Sequence, residues 1–349
     1  MTAASFIGGR AVGRGHPAYV IAEIAQAHDG SLGLAHAFVD AAAEAGADAI
    51  KFQTHIADAE STRQEQFRVK FSKQDDSRYD YWRRMEFTPG QWRELAQHAT
   101  DEGLHFLSSP FSIQAFDLLA DLGVPAWKVA SGEVNTREML DRMMSSGKPI
   151  IASTGMSSWT EIDAMVETLR CADAPFWLLQ CTSKYPTPLD EVGLNIMEEY
   201  RSRYACGVGL SDHSGTPFPA IAAIARGAEV VELHLTLNRH MFGPDVSSSL
   251  TVPEFKLVTA ARDSVHRMDS HPVDKDRAAA GLAPMRDLFM RSAAPSKDMP
   301  AGIVLTQDMI TAKKPGTGIP ASEIPNLIGR RLKRAVRADQ LFTREDFDD

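Results

Sequence analysis

The sequence predicts an α/β chain: a (β/α)8 TIM barrel followed by a small β-rich C-terminal domain. Three observations carry this. From Tyr19 onward, short continuous apolar runs alternate with amphipathic segments about eight times over about 250 residues, the rhythm of parallel strands covered by helices. The turn after the first run reads AQAHDG (25–30), without the G-x-G-x-x-G that would favour an open dinucleotide-binding sheet. From about residue 285 the chain changes to short apolar pieces broken by Pro and Gly.

The elements follow in order. Ser5-Phe6-Ile7 before Gly8-Gly9 predicts a small hairpin or plug. YVIAEIA (19–25) is the first buried strand, and 31–46 a helix with Leu34, Phe38, Ala41, Ala42 and Ala45 on one face. DAIKFQT (48–54) is the second strand. Residues 55–87, charged and aromatic, break the rhythm and read as an insertion, either a lid or a dimer contact. Thr88-Pro89-Gly90-Gln91 has capping-box spacing and opens a helix to about Gly103. Strands are then expected at 104–110, 126–132, 149–155 and 176–183, with helices at 112–122, 136–146, 158–170 and 190–203. Gly207–Leu237 reads strand, turn, helix, strand, with Thr216 as N-cap and Pro217 at the first helical position. Thr251-x-x-Glu254 caps a last helix to about Arg267. The expected domains are 1–268 for the barrel with its hairpin, 269–284 for a linker and 285–349 for the tail, which is too small to hold much core of its own.

Composition narrows the function. The 349 residues carry a net charge of −9, from 37 basic and 46 acidic side chains, which argues against a nucleic-acid partner. Three cysteines without a CxxC favour a reduced, cytoplasmic compartment. MTAASFIGGRAVG lacks an apolar signal core, and no apolar run approaches a membrane span. Trp82, Trp92, Trp127 and Trp177 read as packing residues rather than sugar platforms.

The chemistry collects at the C-terminal strand ends, where such barrels build their sites. Glu23, Lys51, Gln53, Ser109, Lys128, Ser131, Glu133, Ser153, Ser183, Tyr185, Ser211, His213, Glu232 and His234 all fall there. A core built for stability alone would not bury so many polar groups. Lys51 and Lys128 with several serines suit a phosphate, and Gly132 and Gly155 allow backbone N–H groups to approach it. The bland alternative is lysine–carboxylate pairing, Lys128 with Glu133 for instance. His213 and His234, at the tips of consecutive strands with carboxylates nearby, form a plausible divalent-metal site. A metal there would polarise a carbonyl. Phosphate beside an activated carbonyl suggests carbon–carbon bond formation with a phosphorylated three-carbon partner.

AEIAQAHDG (22–30), KFQ (51–53), SSPF (108–111), KVASGEVN (128–135), ASTGMS (152–157), LLQCTSKYPTP (178–188), VGLSDHSG (208–215), VELHLTL (231–237) and GPDVSSSL (243–250) together resemble the N-acetylneuraminate (sialic acid) synthase family. KKPGTGIP (313–320) is similar to the antifreeze-like, or SAF, domain that ends those proteins. The resemblance implies condensation of phosphoenolpyruvate with an N-acylated hexosamine, N-acetylmannosamine or a diacetamido relative, to a nonulosonic acid. It implies Mn²⁺ or Mg²⁺ on His213 and His234, and phosphoenolpyruvate on Lys51, Ser109, Lys128, Ser131, Ser153 and Ser211. It implies that Glu23, Gln53, Glu133, Tyr185 and Asp245 face the sugar or the proton transfers. A homodimer with exchanged small domains is implied too. Two departures bear on the sugar. Ala25 and Ala27 replace the usual glycine and asparagine, and Lys314 stands where an arginine usually recognises the N-acyl group. The alternatives are a Schiff-base aldolase using Lys128 or Lys51, and a non-catalytic sugar-binding protein on the same fold.

Overall fold

The computed structural model describes residues 5–348. The chain forms two compact units, Met1–His271 and Pro272–Asp349. In the first, eight parallel strands make the barrel: β1 Tyr19–Ala25, β2 Ala49–Thr54, β3 His105–Pro110, β4 Trp127–Val129, β5 Ile150–Ser153, β6 Phe176–Cys181, β7 Gly207–Asp212 and β8 Val230–Thr236. Hydrogen-bonded ladders run in the order β3-β2-β1-β8-β7-β6-β5-β4. β3 and β4 lie side by side and bring the ring near to closure.

The period of two along each strand explains where everything goes. Val20, Ala22, Ile50, Phe52, Leu178, Leu210, Val231 and Leu233 point outward into the helix-covered core. Tyr19, Ile21, Ala49, Leu107, Ile151, Trp177, Leu179 and Val230 point inward and fill the lower barrel, joined by Ile7 and Val12 of the hairpin formed by Ser5–Ile7 and Arg10–Val12. The hairpin is therefore the plug expected from its sequence. One step further along the same inward rows stand Glu23, Lys51, Ser109, Lys128, Ser153, Cys181, Ser211 and Glu232, all buried. Apolar layers thus support a polar layer directly above them.

The expected capping boxes form at Thr88/Gln91, Ser158/Glu161 and Thr251/Glu254. Some boundaries differ. Thr216 is not the N-cap; the helix is Phe218–Ala225 with Pro217 at the cap position. Ser214 organises that turn instead, donating to Asp212 Oδ2 at 2.7 Å and accepting the Thr216 N–H at 3.2 Å. β4 is also shorter than expected, because the chain turns after Val129 to present Ser131–Glu133. The 55–87 insertion holds two helices, Ala57–Glu60 and Arg78–Met85, around a small core of Ala57, Tyr81, Trp82 and Met85.

In the second unit, Lys275–Gly281 and Ala283–Phe289 are short helices, so most of the stretch read as linker is helical. The tail pairs Ser292–Pro295 with Ile310–Lys313 antiparallel. Its core gathers Ala293, Leu305, Leu327, Leu332, Phe342 and Phe347. None of the helices among the described residues is long and apolar enough to cross a membrane.

Candidate active site

The strand tips open into a cavity of about 570 Å³ lined by Glu23, Lys51, Gln53, Lys128, Ser131, Glu133, Ser153, Ser183, Tyr185, Ser211, His213, Glu232, His234 and Asp245. Of the site residues expected in the barrel, only Ser109 is outside this lining. It lies beneath it, 3.4 Å from Lys51 Nζ, which donates to its hydroxyl. Lys314 belongs to the second unit, where its ammonium lies 5.2 Å from the centroid of the Phe289 ring.

The charged floor is a paired network rather than two free lysines. Lys51 Nζ is 2.6 Å from Glu23 Oε2 and 3.8 Å from Glu232 Oε2. Lys128 Nζ is 3.6 Å from Glu232 Oε1 and donates to Ser153 Oγ at 2.8 Å and to the Val129 carbonyl at 3.1 Å. Ser211 donates to Glu232 Oε1 at 3.2 Å. Lysine–carboxylate pairing is thus present, with Glu232 and Glu23 as partners; Glu133 instead accepts from Thr136 Oγ1 at 2.9 Å. Gly155 lets the floor pack closely: a Cβ there would sit 2.5 Å from Ser183 Oγ and 2.7 Å from Cys181 Sγ, and its N–H donates to Ser131 Oγ at 3.0 Å.

Burial and pairing set the protonation. Burial, reinforced by the Glu232 charge, pushes Glu23 up to about 7 despite Lys51. Burial pulls on Lys51 too, but Glu23 and Glu232 outweigh it and hold its ammonium above the usual range. Lys128 is lowered, because burial outweighs its more distant partner. Burial raises Glu232, yet Lys128 and Lys51 more than offset this and leave it below the usual carboxylate range. With every group ionised the four charges cancel; with Glu23 protonated the floor carries one net positive charge.

The histidines stand beside this floor. Their ring centroids are 5.2 Å apart, and burial lowers each to about 3, so both are neutral near pH 7. The backbone carbonyl of Thr182 accepts a hydrogen bond from His213 Nδ1 at 3.1 Å, which assigns the proton to Nδ1 and leaves the Nε2 lone pair available. Glu232 Oε2 is buried without a hydrogen-bond partner, and it belongs to the residue two before His234 on β8. Two neutral imidazoles, beside a carboxylate oxygen whose nearest cation is Lys51 at 3.8 Å, suit a divalent cation by the chemistry of their donors. Among the described residues, the one trio whose ligand atoms lie within 4.8 Å of one another is Asp40, His98 and Glu102, on the outer helices with both carboxylates exposed; the cavity offers the histidine pair instead.

Above the histidines, the Tyr185 ring centroid is 4.2 Å from that of His213 and 6.0 Å from that of His234. Arg68 from the insertion lies over Tyr185, 3.9 Å from its centroid, and pairs with Asp245 at 2.8 Å. The insertion therefore contributes directly to the cavity wall. Sequence reasoning missed Arg68, His55, Glu60, Trp82 and Phe111, all of which line the cavity. His55 had a signal: it continues the inward row Lys51, Gln53. Trp82, expected only to pack, stacks on His55 at 3.8 Å, whereas Trp92, Trp127 and Trp177 are core residues.

Comparison with known proteins bears on this arrangement. The model of the NeuB family matches residues 38–272, and that of the SAF domain matches residues 291–348. The chain is 32% identical over 345 residues to the human N-acetylneuraminate-9-phosphate synthase, covering 97% of this chain and 95% of that one. It is 30% identical over 329 residues to the N,N'-diacetyllegionaminic acid synthase of Campylobacter jejuni, covering 93% and 98%. Among solved structures, the N-acetylneuraminic acid (sialic acid) synthetase of Leptospira borgpetersenii, in complex with citrate, superposes with a TM-score of 0.71 at 26% identity, over 83% of this chain and 98% of that one.

Proposed function

The chain belongs to the NeuB family and ends in a SAF domain, and from that premise we propose that it condenses phosphoenolpyruvate with an N-acylated hexosamine to a nonulosonic acid and phosphate. The observation that carries this reading is the convergence of two lysines and two neutral histidines around Glu232 in one cavity.

Lys51 and Lys128, with Ser131, Ser153 and Ser211, bind the carboxylate and phosphate of phosphoenolpyruvate by charge-assisted hydrogen bonds, and Ser109 supports Lys51 from beneath. An anion arriving here competes with Glu23 and Glu232 for the lysines. Protonation of Glu23 near neutrality supports that exchange, because it frees the Lys51 ammonium. His213 and His234 would hold a divalent cation, which when bound would supply Lewis acidity towards the aldehyde oxygen of the open-chain sugar. Tyr185, Asp245 and Gln53 orient the sugar, and Ser183 lies at the same rim. The alkene carbon of phosphoenolpyruvate attacks the aldehyde carbon, and water adds at the resulting cationic carbon. The tetrahedral intermediate then expels phosphate with cleavage of the carbon–oxygen bond. Glu23 or Glu133, both raised by burial, moves the proton of that water.

The test is phosphate release from phosphoenolpyruvate over a panel of 2-acetamido and 2,4-diacetamido hexoses, with Mn²⁺, with Mg²⁺ and with EDTA. Phosphoenolpyruvate labelled with ¹⁸O at the bridging oxygen should deliver the label to phosphate. Activity that survives EDTA would remove the metal from the reading. The lowered Lys128 favours one second reading, a Schiff-base aldolase, for which borohydride with substrate would label that lysine.

The assembly proposed is a cytoplasmic homodimer in which each small domain serves the partner's barrel. Support comes from the apolar side chains Leu282, Met285, Leu288, Phe289 and Met290, which are exposed in the chain by itself. Sedimentation or light scattering that returned a monomer at micromolar concentration would end that proposal.

A further inference from the structure

A chain of hydrogen bonds leads from the insertion into the catalytic floor. The imidazole of His55 is buried and lies between two aromatic rings, Trp82 at 3.8 Å and Phe111 at 4.4 Å, tilted by 14° and 13°. Two rings stacked this closely on one imidazole must occupy its opposite faces, so its plane is fixed. Both nitrogens are engaged within that plane. Nδ1 is 2.5 Å from Glu60 Oε1, and Glu60 Oε2 accepts the Ile56 N–H at 3.3 Å. Nε2 is 3.2 Å from Gln53 Oε1, and Gln53 Nε2 donates to Glu23 Oε1 at 3.0 Å.

The direction of this chain follows from donor and acceptor chemistry. An amide oxygen only accepts, so His55 Nε2 carries the hydrogen. With its oxygen turned to His55, Gln53 must present its NH₂ to Glu23. The opposite rotamer would set the amide oxygen against Glu23 Oε1. Glu23 also pairs with Lys51 through its second oxygen, so both oxygens of that carboxylate are oriented. We propose that His55, clamped by Trp82 and Phe111 and anchored on Glu60, is a positioning residue that sets the amide of Gln53 and through it the orientation of Glu23. The insertion is thereby part of the catalytic apparatus, acting on a carboxylate it does not touch. The inference rests on the reading of Glu23 as a group that handles a proton or the substrate.

The experiment compares wild type, His55→Phe, Gln53→Met and the double variant. Phenylalanine keeps the stacking between Trp82 and Phe111 and removes both ring nitrogens. The wild type must first release phosphate with at least one hexosamine, which separates failure of the functional reading from failure of this one. The expected result is a kcat about 10- to 100-fold lower in His55→Phe, with KM for phosphoenolpyruvate within about threefold of wild type. The double variant should match Gln53→Met, because His55 acts through the amide. His55→Gln, which can present an N–H to Gln53, should recover part of the rate, and it carries the test if His55→Phe does not fold. Multiplicative losses in the double variant, or unchanged kcat in His55→Phe, would overturn the proposal. A crystal structure of His55→Phe gives a readout independent of turnover: the Gln53–Glu23 hydrogen bond should be lost, and its persistence at 3.0 Å would also overturn it.

Discussion

Lys51 Nζ and Glu23 Oε2 lie 2.6 Å apart, both side chains are almost wholly shielded from water, and the carboxylate still titrates near 7. Burial is the main reason, and Glu232, a second buried carboxylate sharing the same lysine, reinforces it. A carboxyl raised from 4.5 in the unfolded chain to about 7 in the fold holds its proton more tightly when folded. Its contribution to stability is complete below the unfolded value and is lost as pH rises through 7. Glu23→Gln cannot ionise and escapes that loss. The difference in Tm, Glu23→Gln minus wild type, measured in chelator, should widen between pH 5 and pH 8, by an amount on the order of 3 kcal/mol in stability. A difference that stays flat with pH would mean that Glu23 titrates as an ordinary glutamate.

His213 and His234 are the two imidazoles available to a cation in the cavity, and His213 is already oriented by the Thr182 carbonyl. His213→Ala should weaken Mn²⁺ binding more than about 100-fold, since losing a direct ligand should cost at least as much as losing a residue that merely orients one. Calorimetry on metal-stripped protein reads this without turnover. Binding that persists in His213→Ala but fails in His98→Ala would move the metal to the outer cluster of Asp40, His98 and Glu102.

The barrel was legible because its strands are short, apolar and evenly spaced, and because inward parity can be counted along each one. Glu23, Lys51, Lys128, Ser211 and Glu232 follow from that count alone. What could not be read was pairing. The sequence places Lys128 five residues from Glu133, yet the barrel bends it towards Glu232 on β8, a neighbour only in three dimensions. The insertion hid its residues for another reason. Arg68 lies outside any strand or helix and Trp82 on a helix of the insertion, Arg78–Met85, so their positions depend on how residues 55–87 fold back over the strand tips. The cap was misplaced by one residue, at Thr216 rather than Pro217, because Ser214 closes the turn by accepting the Thr216 N–H.

Ala25 ends β1 with φ +48°, a left-handed conformation in a residue that carries a Cβ, and the β1–β2 register shifts beside it, between Glu23 and Ala25. Glycine adopts this conformation without the Cβ clash. Ala25→Gly should therefore raise stability by about 1 kcal/mol, the cost of αL offset in part by glycine's unfolded-state entropy. Chemical denaturation gives the number directly. A loss of stability on this substitution would show that the methyl group packs better than the strain costs.

Lys314 offers a point charge where a guanidinium would offer a planar fork. If it meets the sugar's N-acyl group in the assembled enzyme, Lys314→Arg should change KM for the hexosamine several-fold, with a different ratio for N-acetyl and bulkier N-acyl substrates. KM for phosphoenolpyruvate should hold. Equal KM values across that substrate series would remove Lys314 from the sugar site.

At the other end of the barrel, Arg262 Nη1 lies 2.9 Å from Asp48 Oδ2, which also accepts the Val20 N–H at 2.8 Å, while Arg10 of the hairpin pairs with Asp48 Oδ1 at 2.5 Å. One buried carboxylate therefore ties the last helix of the barrel, Val252–Asp269, and the hairpin to the β1–β2 edge. Burial already holds Asp48 above its ordinary pKa despite these partners. Arg262→Met leaves it with the half-exposed Arg10 alone and should cost about 3–5 kcal/mol at pH 7.5. The cost should shrink as pH falls towards 5, because a protonated Asp48 needs no counter-charge. Arg10→Met, at the more solvated partner, should cost about 1 kcal/mol or less. Denaturation of both variants at two pH values, with kcat measured on the folded fraction, separates this structural role from catalysis. Equal penalties at pH 5 and 7.5 would refute the ionic origin and leave packing of the arginine stem as the cause.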